Sequence, residues 1–477
     1  MNRVFQGVLS ILGLSILGMF CVLTVNPALS EGRVDGVSEE MQATAIRLRD
    51  TVLKSDLSYR LDEQLTTEVG PRLVGTPGDR KGVEWAVAKM KELGFDRVWT
   101  EEVTHVMWER GEIEAEIIAP YPQKLVAIAL GGSVGTPEAG LKAEIVHFPS
   151  YAALQAAAPG SLEGKIAFIS YRMERRIDGS GYGPAVVART KGASEAARKG
   201  ALALLIRSIG TDDNRLGHTG SVKYDADAGK IPAAALSNPD ADILMAQLSR
   251  GKPVVVRLRQ TSERHDQTVI KTANVIGEVT GRETPEDFVV LGAHLDSWDV
   301  GTGAVDDGIG VGITLAAARH ILDLPERPKR SIRVVLFAAE EVGLVGAKQY
   351  LERHRDELDH HVIGAEWDFG VGRIYDMRPG VGPEALNTIR AMAGILAPLG
   401  VSLNPDNTAK GQSDLSVLGE AGMPAVNFSP DGSLYFDYHH TENDTLDKVD
   451  REAMKINTAI YTVFAYIAAE SGVDFRK

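Results

Sequence analysis

The chain has 477 residues, more than one ordinary domain needs, which predicts two domains plus a processed segment. Hydrophobic residues make up 44% and charged residues 24% of it, so the composition excludes a disordered chain. The formal net charge of -14, without any run rich in lysine and arginine, argues against a nucleic-acid partner.

Residues 1–30 differ in kind from the rest. A basic start at Arg3 precedes an apolar run over residues 8–25 and a small-residue ending, Ala28-Leu29-Ser30. This order is typical of a secretory signal peptide, with cleavage expected after Ser30. An uncleaved membrane anchor is the alternative, because the run is nearly long enough to span a bilayer. We expect an exported protein, periplasmic or secreted, without membrane contact after cleavage.

The only cysteine, Cys21, lies inside that segment. The mature chain would therefore have no thiol, which excludes disulfides, cysteine ligands and a cysteine nucleophile. An exported chain without cysteine is compatible with an oxidising compartment such as a periplasm.

Residues 31–122 predict the first part of an α/β domain. A polar stretch of helical spacing comes first, and apolar periodicity then predicts a helix over residues 83–93 that ends at Gly94. Alternation predicts a strand over residues 97–103.

Residues 123–262 predict a compact β-rich insertion. It contains one predicted helix, over residues 193–199, and two isolated histidines, His147 and His218. We interpret both histidines as surface or hydrogen-bonded residues and not as metal ligands. Short apolar runs between Gly and Pro turns predict strands at residues 125–130, 144–148, 165–170, 203–206 and 254–258.

Residues 263–477 alternate between strands and helices, which predicts an α/β sheet with helices on both faces. Ligands of such sheets bind beyond the carboxyl ends of the strands, and His294, Glu340 and Asp368 each follow an apolar run. The predicted strands are residues 288–291, 332–337, 362–366 and 425–428, and the predicted helices are residues 311–324, 347–354, 383–396 and 416–421.

The stretch LGAHLDSWDVGTGAVDDG, residues 291–308, contains the first candidate ligands. A ligating imidazole needs its second nitrogen held, and Asp296 could hold that of His294. A buried histidine satisfied by a nearby acid is the alternative. Asp306 could bridge two cations with its two oxygens, and it equally suits the N-cap of the following helix.

Two adjacent carboxylates, Glu340 and Glu341, follow the buried run 332–339. Burying both costs free energy unless a metal or another partner compensates. Neighbours on an extended chain point to opposite sides, so Glu341 could bind a metal while Glu340 acts as general base. A solvated pair in a loop is the alternative.

Further along, Asp368 could be either a ligand or a turn residue, and one of His439 and His440 could be a ligand. Neutral imidazoles and carboxylates are the donor set that suits zinc. The order of these residues along one α/β domain is more informative than any of them alone.

That order resembles the M28 family of co-catalytic zinc exopeptidases, and the likeness spans nearly the whole mature chain. The shared motifs are GPRLVGTPGDRKG (residues 70–82), WERGE (108–112), GGSVGTP (131–137), GALALLIRS (200–208), HTG (218–220), GAHLDSWDVGTGAVDDG (292–308) and AAEEVGLVGAKQY (338–350).

The resemblance implies two zinc ions per chain and a role for each candidate. His294 and Asp368 would bind one zinc, Glu341 and His440 the other, and Asp306 would bridge them. Glu340 would be the general base and acid. Asp296 would support His294. His440 is preferred over His439 because the ligand of the family directly precedes Thr or Ser.

The resemblance also implies the phosphorylase/hydrolase-like fold of zinc exopeptidases, a mixed sheet flanked by helices, with residues 123–262 as a protease-associated (PA-like) insertion. A homodimer and a cis peptide bond after Asp306 are further expectations. The implied activity is hydrolysis of dipeptides or short peptides outside the cytoplasm. No arginine cluster for acidic side chains is identifiable, and Arg373 and Arg378 cannot be assigned to the pocket.

Three alternatives differ from this hypothesis. An aminopeptidase of the same family would differ only in which peptide terminus it captures. A non-catalytic binding protein on the same fold would lack metal. A relative that closes N-terminal glutamine rings would use one zinc and normally lack the insertion. Zinc, cobalt and manganese all suit such donors, so the native metal stays open.

Overall fold

The computed structural model describes residues 36–477, and the predicted signal peptide lies outside the described residues. The helices are α1 (Glu39–Val52), α2 (Leu57–Gln64), α3 (Pro77–Glu92), α4 (Tyr151–Gln155), α5 (Tyr182–Arg198), α6 (Asn238–Leu248), α7 (Ile309–Leu322), α8 (Val345–His354), α9 (Leu386–Leu396), α10 (Ser413–Glu420) and α11 (Arg451–Glu470). The strands are β1 (Arg97–Glu109), β2 (Ile113–Ala119), β3 (Gln123–Leu125), β4 (Ala127–Ala129), β5 (Leu141–Phe148), β6 (Ile166–Ile169), β7 (Ala203–Arg207), β8 (Ala233–Leu236), β9 (Val255–Gln260), β10 (Glu263–Val279), β11 (Thr284–His294), β12 (Arg330–Phe337), β13 (His361–Glu366), β14 (Ile374–Gly380), β15 (Ser402–Leu403) and β16 (Ala425–Pro430).

The first sheet is mixed and has the strand order β1-β10-β12-β11-β13-β16-β14-β15. Its centre is parallel, because β12, β11, β13 and β16 run in one direction. Every residue of β12 and β13 is buried, as parallel strands covered on both faces require. Helices α7 and α11 contact one side of the central strands, and α8 and α10 lie with β12 in a separate apolar cluster.

This arrangement confirms the predicted α/β class, a mixed sheet flanked by helices. The four strands predicted in residues 263–477 are the cores of β11, β12, β13 and β16. The long helix α11 was not among the predicted elements, and most of its residues from Ala453 to Ala469 are buried. No helix within residues 36–477 combines the length and apolarity that a membrane span requires.

The second sheet has the order β3-β2-β9-β5-β6-β7-β8-β4 and takes its strands from residues 113–260. It therefore includes β2, which precedes residue 123, the predicted start of the insertion. Its first and last strands, β3 and β4, are separated only by Val126, so the sheet curls until its two edges meet. The assignment of a separate PA-like domain, and of its boundaries, stays a prediction.

Two elements of this second sheet differ from the sequence predictions. The strand predicted over residues 125–130 is two short strands, because β3 pairs with β2 while β4 pairs with β8. The helix predicted over residues 193–199 is only the end of α5, which begins at Tyr182. Gly183 and the β-branched pair Val186-Val187 weaken the helical signal of its first half.

His361, the first residue of β13, is a fully buried imidazole held neutral. Its Nδ1 donates to the carbonyl of Glu357 at 3.0 Å, and its Nε2 accepts from the hydroxyl of Tyr350 at 3.0 Å. Burial lowers the pKa of His361 from 6.5 to about 3, and the charge of Arg333 acts in the same direction.

We expect this histidine to make the fold sensitive to acid. The unfolded chain protonates it near pH 6.5 and the folded chain only near pH 3, so its stabilisation is complete above pH 6.5 and declines below. The loss reaches about 2 kcal/mol by pH 5. Urea unfolding at pH 7.5 and 5.0 should therefore show a larger loss for wild type than for His361→Gln. Equal losses would contradict the assignment.

Candidate metal centre

Adjacent parallel strands bring the candidate residues to one edge of the first sheet. His294 is the last residue of β11, Glu340 and Glu341 follow β12, and Asp368 follows β13. Because β12, β11 and β13 are neighbours and run in parallel, their carboxyl ends meet there. The sheet thus brings together side chains that are up to 74 positions apart in the chain (294 to 368).

His294 faces two carboxylates with one nitrogen. Its Nε2 lies 3.0 Å from Oδ1 of Asp306 and 3.3 Å from Oδ1 of Asp368. Its Nδ1 donates to the main-chain carbonyl of Asp296 at 2.9 Å, which leaves the lone pair on Nε2. The imidazole is fully buried, so its orientation is fixed.

The role expected of Asp296 needs a correction. Its carboxylate lies 3.8 Å from Nδ1 of His294, and the carbonyl of the same residue makes the hydrogen bond instead. The carboxylate accepts from the main-chain N–H groups of Glu340 at 3.0 Å and Glu341 at 3.3 Å. Asp296 therefore orients the Glu340-Glu341 pair, because two backbone donors converge on its oxygens.

A second cluster forms around His440. Its Nε2 lies 3.0 Å from Oε2 of Glu341 and 3.4 Å from Oδ2 of Asp306. The two oxygens of Asp306 thus face different histidines, Oδ1 towards His294 and Oδ2 towards His440. The peptide bond between Asp306 and Asp307 is cis, as the family resemblance implied.

His439 is also close, although the sequence favoured His440 alone. Its Nε2 lies 3.8 Å from Oδ2 of Asp306, and its ring stacks on that of His440 with centroids 3.5 Å apart. Its Nδ1 is buried without a hydrogen-bond partner. The shorter distances favour His440 as the ligand of this cluster.

The buried polar atoms of the site fit a bound cation. Oδ2 of Asp306 and Oε1 of Glu341 are both buried without a hydrogen-bond partner. Such atoms are costly unless something compensates them, and a cation coordinated by carboxylate and imidazole would do so. Nitrogen and oxygen donors without sulfur suit zinc and related divalent ions.

The crowding of carboxylates shifts the pKa values of the site in the protein without bound ions. Burial and the carboxylate of Asp368 raise the pKa of Glu340 to about 8. Burial and the carboxylate of Asp306 raise the pKa of Glu341 well above its usual range. Burial opposes the charged form of His294, but the carboxylates of Asp368 and Asp306 outweigh it and raise that pKa well above 6.5.

Ser413 was not identified from the sequence. Its hydroxyl donates to Oε1 of Glu340 at 2.6 Å, at the first residue of α10. Its backbone has a φ of 34°, a left-handed conformation unusual for a residue with a side chain. Only the tertiary structure places α10 beside Glu340, so no local signal could have found this contact.

The motif His218-Thr219-Gly220, between β7 and β8 of the second sheet, holds the histidine pair through hydrogen bonds. His218 is buried, and its Nδ1 lies 2.8 Å from the carbonyl of His439, so it is hydrogen-bonded as predicted. Thr219 donates its main-chain N–H to the carbonyl of His440 at 3.0 Å. Its own carbonyl lies 3.3 Å from Nδ1 of His440 and accepts from it, which leaves Nε2 free to face the carboxylates.

Trp298, within the motif of residues 292–308, also links the two sheets. Its ring lies 5.7 Å from that of His440 in an edge-on arrangement. On its other side it fills the space above Gly131, where an added Cβ would lie 2.0 Å from the indole. A larger residue at position 131 would therefore displace the tryptophan from His440.

The cavity above these residues has a volume of about 400 Å³. Tyr182 and Arg189 of α5, the helix that packs on β7 of the second sheet, also line it. Arg373 and Arg378 do not line it: Arg373 is exposed, and Arg378 lies 3.7 Å from Asp406. The remaining lining residues are Asp306, Glu340, Glu341, Asp368, Phe369, Gln412, Ser413, Tyr435, Phe436, His439 and His440.

Comparison with known proteins identifies the family of this chain. Residues 274–465 match the model of Peptidase family M28. Carboxypeptidase Q of Rattus norvegicus is 35% identical over 87% of this chain and 85% of its own length. The crystal structure of a Peptidase M28 precursor from Shewanella amazonensis is 50% identical, with a TM-score of 0.90 over 92% of this chain and 98% of that one.

A more distant solved structure shares the fold. A zinc aminopeptidase from Bacillus subtilis is 22% identical, with a TM-score of 0.62 over 88% of this chain and 97% of that one.

We expect zinc binding to release protons and to strengthen as the pH rises. The raised pKa values of His294 and Glu341 mean that protons occupy donor atoms which a cation must use. Calorimetric titration of the metal-free protein in two buffers of different ionisation enthalpy measures that release. Heats that do not depend on the buffer would contradict this expectation.

The same titration tests Asp306. Asp306→Asn keeps the shape but removes the charge between the two histidines. Zinc affinity should fall by more than the roughly 10- to 100-fold that losing an outer-shell partner costs. Asp213→Asn, whose side chain is 97% exposed, is the matched control and should bind zinc as wild type does. Unchanged affinity in Asp306→Asn would remove Asp306 from the ligand set.

Proposed function

The chain belongs to peptidase family M28 and is a zinc-dependent metalloexopeptidase, and from that premise we propose a dinuclear site that hydrolyses dipeptides or short peptides outside the cytoplasm. The position of Asp306 carries this proposal. Its two buried oxygens face two different histidines, at 3.0 Å and 3.4 Å, as a bridging carboxylate would.

In the proposed assignment, His294 and Asp368 hold one zinc and Glu341 and His440 hold the other. Each pair is already in contact, at 3.3 Å and 3.0 Å respectively. Asp306 would contribute one oxygen to each ion. The carbonyls of Asp296 and Thr219 fix the outer nitrogens of the two histidines and thereby orient them.

Zinc ions at this site would polarise the scissile carbonyl and acidify a nearby water. Glu340 is proposed to accept a proton from the attacking water and then to deliver it to the leaving amine. The hydroxyl of Ser413 fixes one oxygen of Glu340. Burial raises the pKa of Glu340 to about 8 in the protein alone, and nearby cations would lower it towards neutrality.

Residues 123–262, which supply every strand of the second sheet except β2, are proposed to be the PA-like insertion between parts of the catalytic domain at 31–122 and 263–477. Contacts of Tyr182, Arg189 and the motif at residues 218–220 with the site support its role as a cap. Export is proposed from the pattern of residues 1–30, and a homodimer stays a prediction.

Two other activities are open. The aminopeptidase from Bacillus subtilis shares the fold, so an aminopeptidase is the second candidate. A non-catalytic binding protein on this fold is a weaker candidate, because each position of the proposed ligand set holds a metal donor and Glu340 is present as a base.

Metal content measured together with dipeptide hydrolysis tests the proposal. Near two zinc ions per chain are expected, with hydrolysis lost on chelation and restored by zinc. Tight zinc binding without hydrolysis of any dipeptide would indicate a peptidase with a narrow substrate range. A protein that binds no metal would overturn the ligand assignments.

Glu340→Gln tests the general base separately from metal binding. The amide cannot accept the proton, so kcat should fall by about 100- to 10,000-fold while the zinc content stays the same. Glu352→Gln makes the same change at an exposed position of α8 and should leave both quantities unaltered. Substantial activity in Glu340→Gln would assign the proton transfer to another group.

A further inference from the structure

A forked ion pair lies where the chain passes from the first sheet to the second. Strand β1 ends at Glu109 and β2 begins at Ile113, and Arg110 follows β1 directly, within the motif WERGE of residues 108–112. Its Nε lies 2.9 and 2.8 Å from the two carboxylate oxygens of Asp299, and Nη2 contacts one of them. The two side chains are 14% and 26% exposed, so water screens the pair only in part.

The remaining terminal nitrogen of Arg110 reaches the second sheet. Nη1 donates to the hydroxyl oxygen of Thr219 at 2.9 Å and to the carbonyl of Ala129, the last residue of β4. The hydroxyl of Thr219 donates to the same carbonyl at 3.0 Å. Thr219 is fully buried, and its side chain is therefore held by both of these partners.

The residue held in this way is the one that fixes the imidazole of His440. The main-chain N–H of Thr219 donates to the carbonyl of His440 at 3.0 Å, and its own carbonyl lies 3.3 Å from Nδ1. Nε2 of the same ring faces Oε2 of Glu341 at 3.0 Å. A shift of Thr219 would therefore change the direction in which Nε2 presents its lone pair.

Arg110 also holds the tryptophan that packs against this imidazole. Its guanidinium lies 5.0 Å from the ring centroid of Trp108 and 5.4 Å from that of Trp298, which gives two cation–π contacts. The ring centroid of Trp298 lies 5.7 Å from that of His440. One guanidinium thus contacts both a hydrogen-bonding neighbour and an aromatic neighbour of the imidazole.

Another forked ion pair of the chain has similar geometry but lies elsewhere. Arg282 donates to the two carboxylate oxygens of Glu470 at 2.6 and 2.8 Å and also to the carbonyl of Arg327. The side chains of the pair are 26% and 15% exposed. Arg282 lies just before β11 begins, whereas His294 is the last residue of that strand. This pair therefore matches that of Arg110 in form and burial but not in position.

We propose that Arg110, paired with Asp299, is a positioning residue for the zinc ligand His440 and acts through Thr219 and Trp298. The inference rests on the proposed function, because it takes His440 as a ligand of one of two ions. A ligating histidine depends on the partner of its outer nitrogen, and losing such a partner costs roughly 10- to 100-fold in metal affinity.

The ion assigned to His294 and Asp368 should not depend on Arg110. The outer nitrogen of His294 donates to the carbonyl of Asp296, within the first sheet and its loops. Arg110 makes none of the hydrogen bonds recorded for His294 within residues 36–477. The positioning role therefore predicts unequal effects on the two ions, which a general loss of stability would not produce.

Zinc titration of the metal-free protein by calorimetry tests this inference without recourse to hydrolysis. Wild type should bind two ions, and Arg110→Gln should weaken one of them about 10- to 100-fold and leave the other unaltered. Arg110→Lys keeps the charge but cannot donate to Asp299 and Thr219 in the same fork, so its affinity should lie between the two. Equal weakening of both ions, weakening of neither, or a lysine variant that binds as wild type does would overturn the inference.

The matched control is Arg282→Gln, which removes the similar ion pair at the far end of β11. It should lower the melting temperature of the metal-free protein without changing the affinity for either ion. If Arg110→Gln does not fold, Asp299→Asn and Thr219→Val take its place, because each removes one partner of the guanidinium and keeps Arg110. Each should weaken the same single ion, and unaltered binding in both variants would contradict the proposal.

A double-mutant cycle shows whether Arg110 acts through Thr219. Thr219→Val removes the hydroxyl that accepts from Arg110 but keeps the main-chain groups that contact His440. Residues that act through one another show losses that do not add. The double variant should therefore bind the affected ion little more weakly than Arg110→Gln alone. Additive losses in zinc affinity would overturn this route.

Hydrolysis by the same proteins separates failure of this inference from failure of the proposed function. The activity of Arg110→Gln should fall at limiting zinc and recover in excess zinc, which a merely structural defect would not do. If wild type binds two ions but hydrolyses no peptide, while Arg110→Gln still loses one ion, the proposed function fails and the positioning role stands. Hydrolysis by wild type together with unaltered zinc affinity in Arg110→Gln reverses that conclusion.

Discussion

The repulsion among buried carboxylates is the constraint on which this structure depends. The crowded set comprises the buried Asp306, Asp307 and Glu341 and the partly buried Glu340 and Asp368. Burial and mutual repulsion raise the pKa of Glu341 and Glu340, so the charged forms need cations. The parallel centre of the first sheet makes the crowding unavoidable, because three adjacent strands deliver their acids at one edge. Two histidines with fixed outer nitrogens then convert an unfavourable cluster into a donor set for zinc.

The second sheet completes this site as well as covering it. The carbonyl of His439 accepts from Nδ1 of His218, and the carbonyl of His440 accepts from the main-chain N–H of Thr219, both from the segment between β7 and β8. His440 also has a left-handed φ of 61°. A non-glycine residue keeps such a conformation only where its surroundings over-determine it. Trp298 and Gly131 add an apolar contact across the same junction. The ligand cluster around His440 is therefore a product of both sheets.

The acidic and basic side chains of the cavity occupy different positions in it. The acids face one another and the histidines, whereas Tyr182 and Arg189 of α5 line the cavity from the second sheet, with Nη1 of Arg189 3.4 Å from Nδ1 of His440.

The sequence by itself determined the α/β class, the central strands and the identity of the candidate ligands, because apolar runs and the acids that follow them are local patterns. It also gave the cis bond after Asp306 through the family resemblance. Only the tertiary structure decided that the carbonyl of Asp296, and not its carboxylate, orients His294. The places of Ser413 and Arg189 at the cavity, and the hydrogen bonds of residues 218–220 to the histidine pair, likewise form only on folding. Each of these contacts joins segments from different elements. Local spacing cannot encode those contacts, because strand order and the curl of the second sheet bring the segments together.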